Sequence, residues 1–211
     1  MNFLVLIALI FATLIQAAHA DFAEDLELCV PTYGKGVDRL SACNRVIATG
    51  HESNELLSEA YVARAFQYRM KGPWERALSD LDTAIELNAN NALAYLHRAI
   101  VHNEMRNKKL AIADIDFVIR LEPDKAALYY IRGVFNSWGI NSDQAIVDYS
   151  KAIQLKPDNS SYYIARGKNY QVLRQYTEAI ADFEKVLQLE PGHEVATQAL
   201  ESAKGELENN Q

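Results

Sequence analysis

Residues 152–158 read "AIQLKPD", and three other segments of the chain, 84–90, 118–124 and 186–192, are variants of the same seven residues. The leucine within them recurs every 34 residues, at Leu87, Leu121, Leu155 and Leu189. Self-similarity at a fixed period of this length is the sequence signature of a repeat architecture. Extending the period outward from these segments gives four repeats, 58–91, 92–125, 126–159 and 160–193.

Four positions of the repeat hold the same kind of residue in every copy: a tyrosine, a small residue, an alanine and a large apolar residue. In the third repeat they are Tyr129, Gly133, Ala145 and Tyr149. Apolar residues spaced by three and four predict a helix in each half of the repeat, and segments such as "KGPW" and "GINSD" predict the turns between the halves. Small residues let two antiparallel helices approach closely, and the large residue fills the space beside them.

This pattern, with a proline after the second helix in three of the four copies, resembles the tetratricopeptide repeat (TPR) family over residues 58–193. The resemblance implies an all-α fold, a right-handed superhelical solenoid of antiparallel helix pairs. We then take residues 58–191 as the repeat domain, although the fourth repeat as the period defines it ends at 193. The resemblance does not imply one function, because such repeats serve many unrelated partners.

Two segments flank the repeats. Residues 192–211 carry one apolar stripe on an otherwise polar helix, as expected of a C-terminal capping helix and tail. Residues 21–57 contain "SACNRVI", which parallels "SDLDTAI" of the first repeat, and predict a degenerate helical segment whose first helix is broken by "VPTYGKG". Short secreted bacterial TPR proteins have a similar opening segment. Asp and Ser residues between repeats, as in "KPDNSS", are expected helix N-caps.

The first twenty residues have no charged side chain and end in Ala18-His19-Ala20, the small-x-small pattern of a signal-peptidase site. Their apolar run is shorter than the ~20 residues of a bilayer-spanning helix. We therefore expect a signal peptide, 1–20, and an exported chain, periplasmic or secreted, with no stable membrane insertion after cleavage. Because this segment has no Lys or Arg after Met1, an uncleaved membrane anchor is the alternative.

Cys29 and Cys43 are the two cysteines of the chain. In an exported protein a lone pair at this spacing predicts a disulfide bond, which would pin the N-terminal segment. Two reduced and buried cysteines are the alternative if the chain is not exported.

Two charged columns also recur in all four repeats, an arginine directly before the small residue and an aspartate directly before the large apolar one. Each lies at the edge of the stripe that its helix turns toward the other helix, so the two edges face each other. We expect structural guanidinium–carboxylate pairs there. They are Arg64 with Asp80, Arg98 with Asp114, Arg132 with Asp148, and Arg166 with Asp182. The alternative is a ladder of arginines that binds an anionic ligand.

The resemblance further implies a concave surface, lined by the first helices, that binds an extended peptide or a partner helix. The columns expected to face it are mostly apolar, and Phe66, Tyr130 and Trp138 are the best anchors. The candidate groove residues are Val62, Phe66, Met70, Leu93, Leu96, Ile100, Tyr130, Val134, Trp138 and Ile164. The alternative for any one of them is packing between repeats or under the N-terminal segment.

Other classes of site find little support. Some TPR proteins grip a C-terminal carboxylate with Lys, Arg and Asn, but those positions here hold Val62, Phe66, His97, Ala127 and Ile131. The sequence has no phosphate loop, GxSxG or HExxH motif, and His97 and His102 are too far apart for one helix face. We expect no catalytic residue, metal or cofactor. A net charge of −7 without a basic run argues against nucleic acid.

The sequence therefore predicts an exported scaffold, not an enzyme, that binds a protein or peptide through an apolar concave groove. The alternative is a homo-oligomerising structural or assembly protein, for example a homodimer, that uses the same face. The identity of the partner does not follow from the residues.

Overall fold

The computed structural model describes residues 22–30, 39–50, 53–137 and 141–210. This part of the chain is all-α, as predicted, with eleven helices and no strand. It divides into two compact bodies, which we call the N-terminal body, Met1–Met105, and the C-terminal body, Arg106–Gln211. The division falls inside the second repeat, between its two helices.

The described residues of the N-terminal body form five helices: α1 (22–29), α2 (Arg39–Thr49), α3 (Asn54–Lys71), α4 (Trp74–Leu87) and α5 (Ala92–Glu104). Helices α3 and α4 form a pair, and α5 packs on both. Ala65, Ala77 and Leu81 lie at the centre of the pair. Gly72 ends α3 with a φ of 109°, a backbone conformation that favours glycine, and its N–H donates to the carbonyl of Tyr68.

Helices α1 and α2 are joined by a disulfide bond between Cys29 and Cys43. Both cysteines are fully buried, in a cluster with Val46 of α2 and Ala60 of α3. Arg45 of α2 also pairs with Asp25 of α1. The predicted disulfide is therefore present, and it holds α1 against α2 in a cluster that also packs on Ala60 of α3.

The C-terminal body contains six helices: α6 (Lys108–Leu121), α7 (Ala126–Ser137), α8 (Ser142–Leu155), α9 (Ser160–Val172), α10 (Tyr176–Leu189) and α11 (Glu194–Asn209). Each helix packs on the next, and α9 also contacts both α7 and α11. Helix α11 buries Ala196 and Ala203 and leaves most of its other residues exposed. This is the pattern of a cap that covers the end of a repeat array.

Helix starts differ in detail from the sequence expectation. The N-cap between the third and fourth repeats is Asn159, whose side chain accepts from the N–H of Ser161. Ser160 is instead buried and bonds to Glu190. Helix α3 begins at Asn54, four residues before the first repeat as the period defines it, because the Ser53 hydroxyl caps the N–H of Leu56.

Glycine at the small position is required by close packing in the C-terminal body. A Cβ atom added to Gly133 would lie 2.7 Å from Cε1 of Tyr149, and one added to Gly167 would lie 2.7 Å from Cε1 of Phe183. The first repeat has alanine there, Ala65, which packs in one core cluster with the smaller side chain Leu81. A smaller side chain at one of these two repeat positions therefore accompanies a larger side chain at the other.

Several sequence predictions lie outside the described residues: the signal peptide, the break at "VPTYGKG" beyond Val30, and Trp138. Within the described ranges, no helix combines the length and the apolar character needed to cross a membrane.

Candidate functional site

Three of the four predicted arginine–aspartate pairs are brought together. Arg64 donates from Nε and Nη2 to the two carboxylate oxygens of Asp80, at 2.8 and 2.7 Å. Arg166 and Asp182 repeat this arrangement at 2.9 and 2.7 Å, and Arg132 bonds to both oxygens of Asp148. Arg98 and Asp114 belong to different bodies, so their pairing stays a prediction.

Three of the four arginines also bond to a residue in the second helix of the preceding repeat, a contact that was not predicted from the sequence. Nη1 of Arg132 lies 2.6 Å from Oδ1 of Asp116, and Nη1 of Arg166 lies 2.9 Å from Oγ of Ser150. Arg98 reaches Asp82 in the same way at 2.7 Å. All three acceptors lie 16 residues before their arginine, in one column of the repeat. That polar column was the signal available in the sequence.

The paired arginines are poorly placed to hold an anionic ligand. Burial on its own would lower the pKa of Arg132, but hydrogen bonds to Asp148 and Asp116 outweigh burial and raise it. Hydrogen bonding to Asp182 likewise raises the pKa of Arg166. An anion would have to displace carboxylates that already occupy these guanidinium donors. The geometry therefore favours the structural interpretation over the anion ladder.

The candidate groove residues divide into packed and exposed ones. Val62 belongs to the core of the N-terminal body, and Ile164 packs against the cluster around Tyr163. The ring of Tyr130 lies 5.8 Å from that of Tyr149 and 5.1 Å from that of Tyr162, so it packs between helices. Met70 and Leu93 are well exposed, whereas the remaining described ones are half-buried: Phe66, Leu96, Ile100 and Val134.

Three of these residues, Val62, Phe66 and Leu93, line a cleft in the N-terminal body. Its volume is about 350 Å³, near the lower end of the usual range for small-ligand pockets. The walls come from the end of α1, the start of α2, and from α3 and α5. The other lining residues are outside the predicted groove set: Val30, Arg39, Glu59, Ala63, Asn91 and His97.

His97 is a half-buried polar residue among these apolar walls. Burial, and to a smaller extent the positive charge of Arg69, lower its pKa from 6.5 to about 4, so the imidazole is neutral at pH 7. Its Nδ1 atom is buried without a hydrogen-bond partner. The ring meets that of Phe66 edge to face, with centroids 5.7 Å apart and planes at 72°. These contacts hold the imidazole as a neutral hydrogen-bonding group in the cleft.

Arg69 contacts the ring of Phe66. Its guanidinium carbon lies 5.4 Å from the centroid of the Phe66 ring, within the range of a cation–π contact. Nη1 of the same arginine lies 2.7 Å from Oε1 of Glu104. This half-buried pair connects α3 to α5, and these two helices form the main walls of the cleft.

The disulfide-linked segment supplies the remaining wall. Val30 directly follows Cys29, and Arg39 lies one helical turn before Cys43. Nη2 of Arg39 donates to the carbonyl of Cys29 at 3.3 Å. Both lining residues are therefore positioned by the bond between the two cysteines.

Comparison with known proteins agrees with this architecture. The family model described as "Tetratricopeptide repeat" matches residues 160–193, which is the fourth repeat as the period defines it. The described helices therefore adopt the tetratricopeptide-repeat fold. No curated protein sequence matches the chain. Proteins built from this repeat generally act as scaffolds and not as enzymes, and the architecture is compatible with binding other proteins.

Several solved TPR structures share the fold. The C-terminal part of a TPR repeat-containing protein from Cytophaga hutchinsonii has 18% identity and a TM-score of 0.74, with 92% of this chain and 72% of that chain covered. MamA from Desulfovibrio magneticus RS-1 has 22% identity and a TM-score of 0.66, with 74% and 86% covered. YrrB, described as a TPR protein with an unusual peptide-binding site, has 16% identity and a TM-score of 0.64, with 90% and 88% covered.

Proposed function

We propose that this TPR protein is an exported scaffold that binds a protein through an extended peptide segment, and that the cleft of the N-terminal body is its binding site. The observation that carries the proposal is the cleft itself. It joins three predicted groove residues, Val62, Phe66 and Leu93, to a neutral imidazole. An apolar cleft with a few convergent polar groups is the usual form of a recognition site. YrrB offers a precedent for peptide binding on the same fold.

The export part of the proposal rests on two independent features. Residues 1–20 have the composition of a signal peptide, and the chain carries a buried disulfide bond in the segment that follows. Disulfides persist in oxidising compartments such as the periplasm and the extracellular space. Appearance of the protein in the periplasmic or extracellular fraction, cleaved before Asp21, supports export; a full-length chain retained in the cytoplasm contradicts it.

The binding site can be tested with two matched leucines. Leu93 on α5 lines the cleft and Leu110 on α6 does not, yet both are 53% exposed. Peptides that bind the disulfide-bonded protein are first selected from a random display library. Their affinities for the native protein and for the Leu93→Ala and Leu110→Ala variants are then measured by isothermal titration. We expect Leu93→Ala to weaken binding by about tenfold, the loss expected of a residue that carries binding energy, and Leu110→Ala to leave it unchanged.

Equal effects of the two variants would contradict the assignment of the cleft. Phe66→Ala provides a second check at a half-buried position, with circular dichroism to confirm folding. Light scattering addresses self-association. A dimer that dissociates in Leu93→Ala would assign the cleft to a second copy of the chain instead of a peptide.

A further inference from the structure

The hydrogen-bonding state of His97 indicates which chemical group the cleft accommodates. The neutral imidazole has one N–H donor and one lone pair, and Nδ1 is buried without a partner. A buried N–H without a partner is rarer in proteins than a buried acceptor without one. We therefore assign the proton to Nε2. The ring then offers its donor at Nε2, and His97 lines the cleft.

The walls of the cleft restrict what this donor can meet. Val62, Phe66 and Leu93 present apolar surface, so the body of the ligand must be apolar. Arg39 and Glu59, of opposite charge, both line the cleft, so an uncharged ligand group suits it better than an ion of either sign. Arginine also stacks favourably on aromatic rings. An aromatic ring that carries an acceptor fits these constraints together.

We propose that the cleft selects a tyrosine side chain from the partner peptide, with the phenol oxygen accepting a hydrogen bond from Nε2–H of His97. Phenylalanine fills the same apolar space but has no acceptor. Tryptophan carries an N–H that only donates, so it leaves the imidazole donor unpaired. A volume of about 350 Å³ holds one aromatic side chain with its adjacent backbone. This inference rests on the proposed function, because it names the residue that the peptide site recognises.

The test uses small probes, so that it does not depend on finding a partner. N-acetyl-tyrosinamide, N-acetyl-phenylalaninamide and N-acetyl-tryptophanamide are titrated into the ¹⁵N-labelled, disulfide-bonded protein, and amide shifts are followed by NMR. We expect the tyrosine probe to shift the signals of Ala63, Phe66 and His97. It should bind about fivefold more tightly than the other two, the factor expected of one neutral hydrogen bond.

Two substitutions separate the hydrogen bond from the shape of the site. His97→Phe keeps an aromatic ring beside Phe66 but removes the donor, and it should abolish the preference for tyrosine. His97→Gln keeps an N–H donor and should retain part of the preference. Equal binding of the tyrosine and phenylalanine probes to the native protein overturns the proposal, and so does a preference that survives in His97→Phe.

Failure of this inference can be distinguished from failure of the proposed function. Selected peptides that require Leu93 but lack tyrosine would refute the tyrosine preference and leave the peptide site intact. A tyrosine probe that occupies the cleft selectively, with no peptide selected from the library, would refute the peptide scaffold and leave the chemistry of the cleft intact.

Discussion

Arg132 on α7 and Asp148 on α8 are joined along one edge of the guanidinium, through Nε and Nη2. Nη2 lies 2.6 Å from Oδ1, and Nε lies 3.1 Å from both carboxylate oxygens. Nδ2 of Asn136 donates to the same carboxylate at 3.3 Å. The Asp148 side chain is 1% exposed, whereas that of Asp116, the second acceptor of Arg132, is 39% exposed. One arginine thus has two carboxylate partners in very different environments.

This difference predicts different costs for removing the two acceptors. Asp148→Ala leaves the Arg132 guanidinium and the Asn136 amide without their buried acceptor, and it should lower the free energy of unfolding by about 3–5 kcal/mol. Asp116→Ala removes a solvent-screened partner and should cost less than about 1 kcal/mol. Urea denaturation of the two variants measures both values. Similar losses would mean that the burial of Asp148 does not set the strength of the pair.

The contact between Gly133 and Tyr149 predicts that one added methyl group destabilises the protein. Gly133→Ala should cost about 1–3 kcal/mol, because the Cβ atom would overlap the tyrosine ring. Gly205→Ala in α11 is the matched control, since nothing lies within 4 Å of its added Cβ, and it should stabilise by roughly 0.5–1 kcal/mol. Thermal and urea unfolding report both effects.

A double-mutant cycle tests the cause of that cost. In a Tyr149→Leu background, which restores the alanine–leucine combination of Ala65 and Leu81, the penalty of Gly133→Ala should shrink to nearly nothing. An unchanged penalty would show that the size of the opposing residue is not responsible.

The Cys29–Cys43 bond should stabilise the N-terminal body measurably. The two residues are 14 apart in sequence, so the bond is expected to contribute ~3 kcal/mol through the closed loop. Unfolding with and without a reducing agent measures this contribution. The Cys29→Ser/Cys43→Ser double variant should show no effect of reductant. Intact mass of protein recovered after export should be two hydrogen atoms below that of the reduced chain, and free thiols there would contradict the pairing.

The lowered pKa of His97 predicts that acid destabilises the protein. Between pH 6.5 and about 4 the unfolded chain protonates this imidazole, while the folded chain does not. Stability is therefore complete above the unfolded pKa and falls as the pH drops from 6.5 to about 4, by up to ~3 kcal/mol. His97→Gln should lose this part of the pH dependence. ¹³C NMR titration of the imidazole gives the pKa directly, and a value near 6.5 would contradict the prediction.

Much of the fold could be predicted from local patterns. The spacing of leucines, alanines and tyrosines fixes helices and repeat boundaries, because periodic apolar residues must be buried on one side of a helix. The arginine and aspartate columns likewise allowed the ion pairs to be predicted, because both columns hold fixed positions beside the buried faces of their helices. The cleft could not be predicted this way. Its walls include Val30 and Arg39, which precede the repeats, and Glu59, which is charged although it shares a repeat column with Leu93. His97 appeared in the sequence only as a poor metal ligand and as a position where a carboxylate clamp is missing.

By itself, the sequence determined the 34-residue period, the all-α class, and which residue types face each other within a repeat. These features follow from short-range spacing, which one helix or one helix pair already satisfies. Only the tertiary structure decided that Arg132 also binds Asp116, that Tyr130 packs between Tyr149 and Tyr162, and that His97 lies neutral beside Phe66. Those outcomes depend on how successive helices dock and how deeply each side chain is removed from water, which no single repeat specifies.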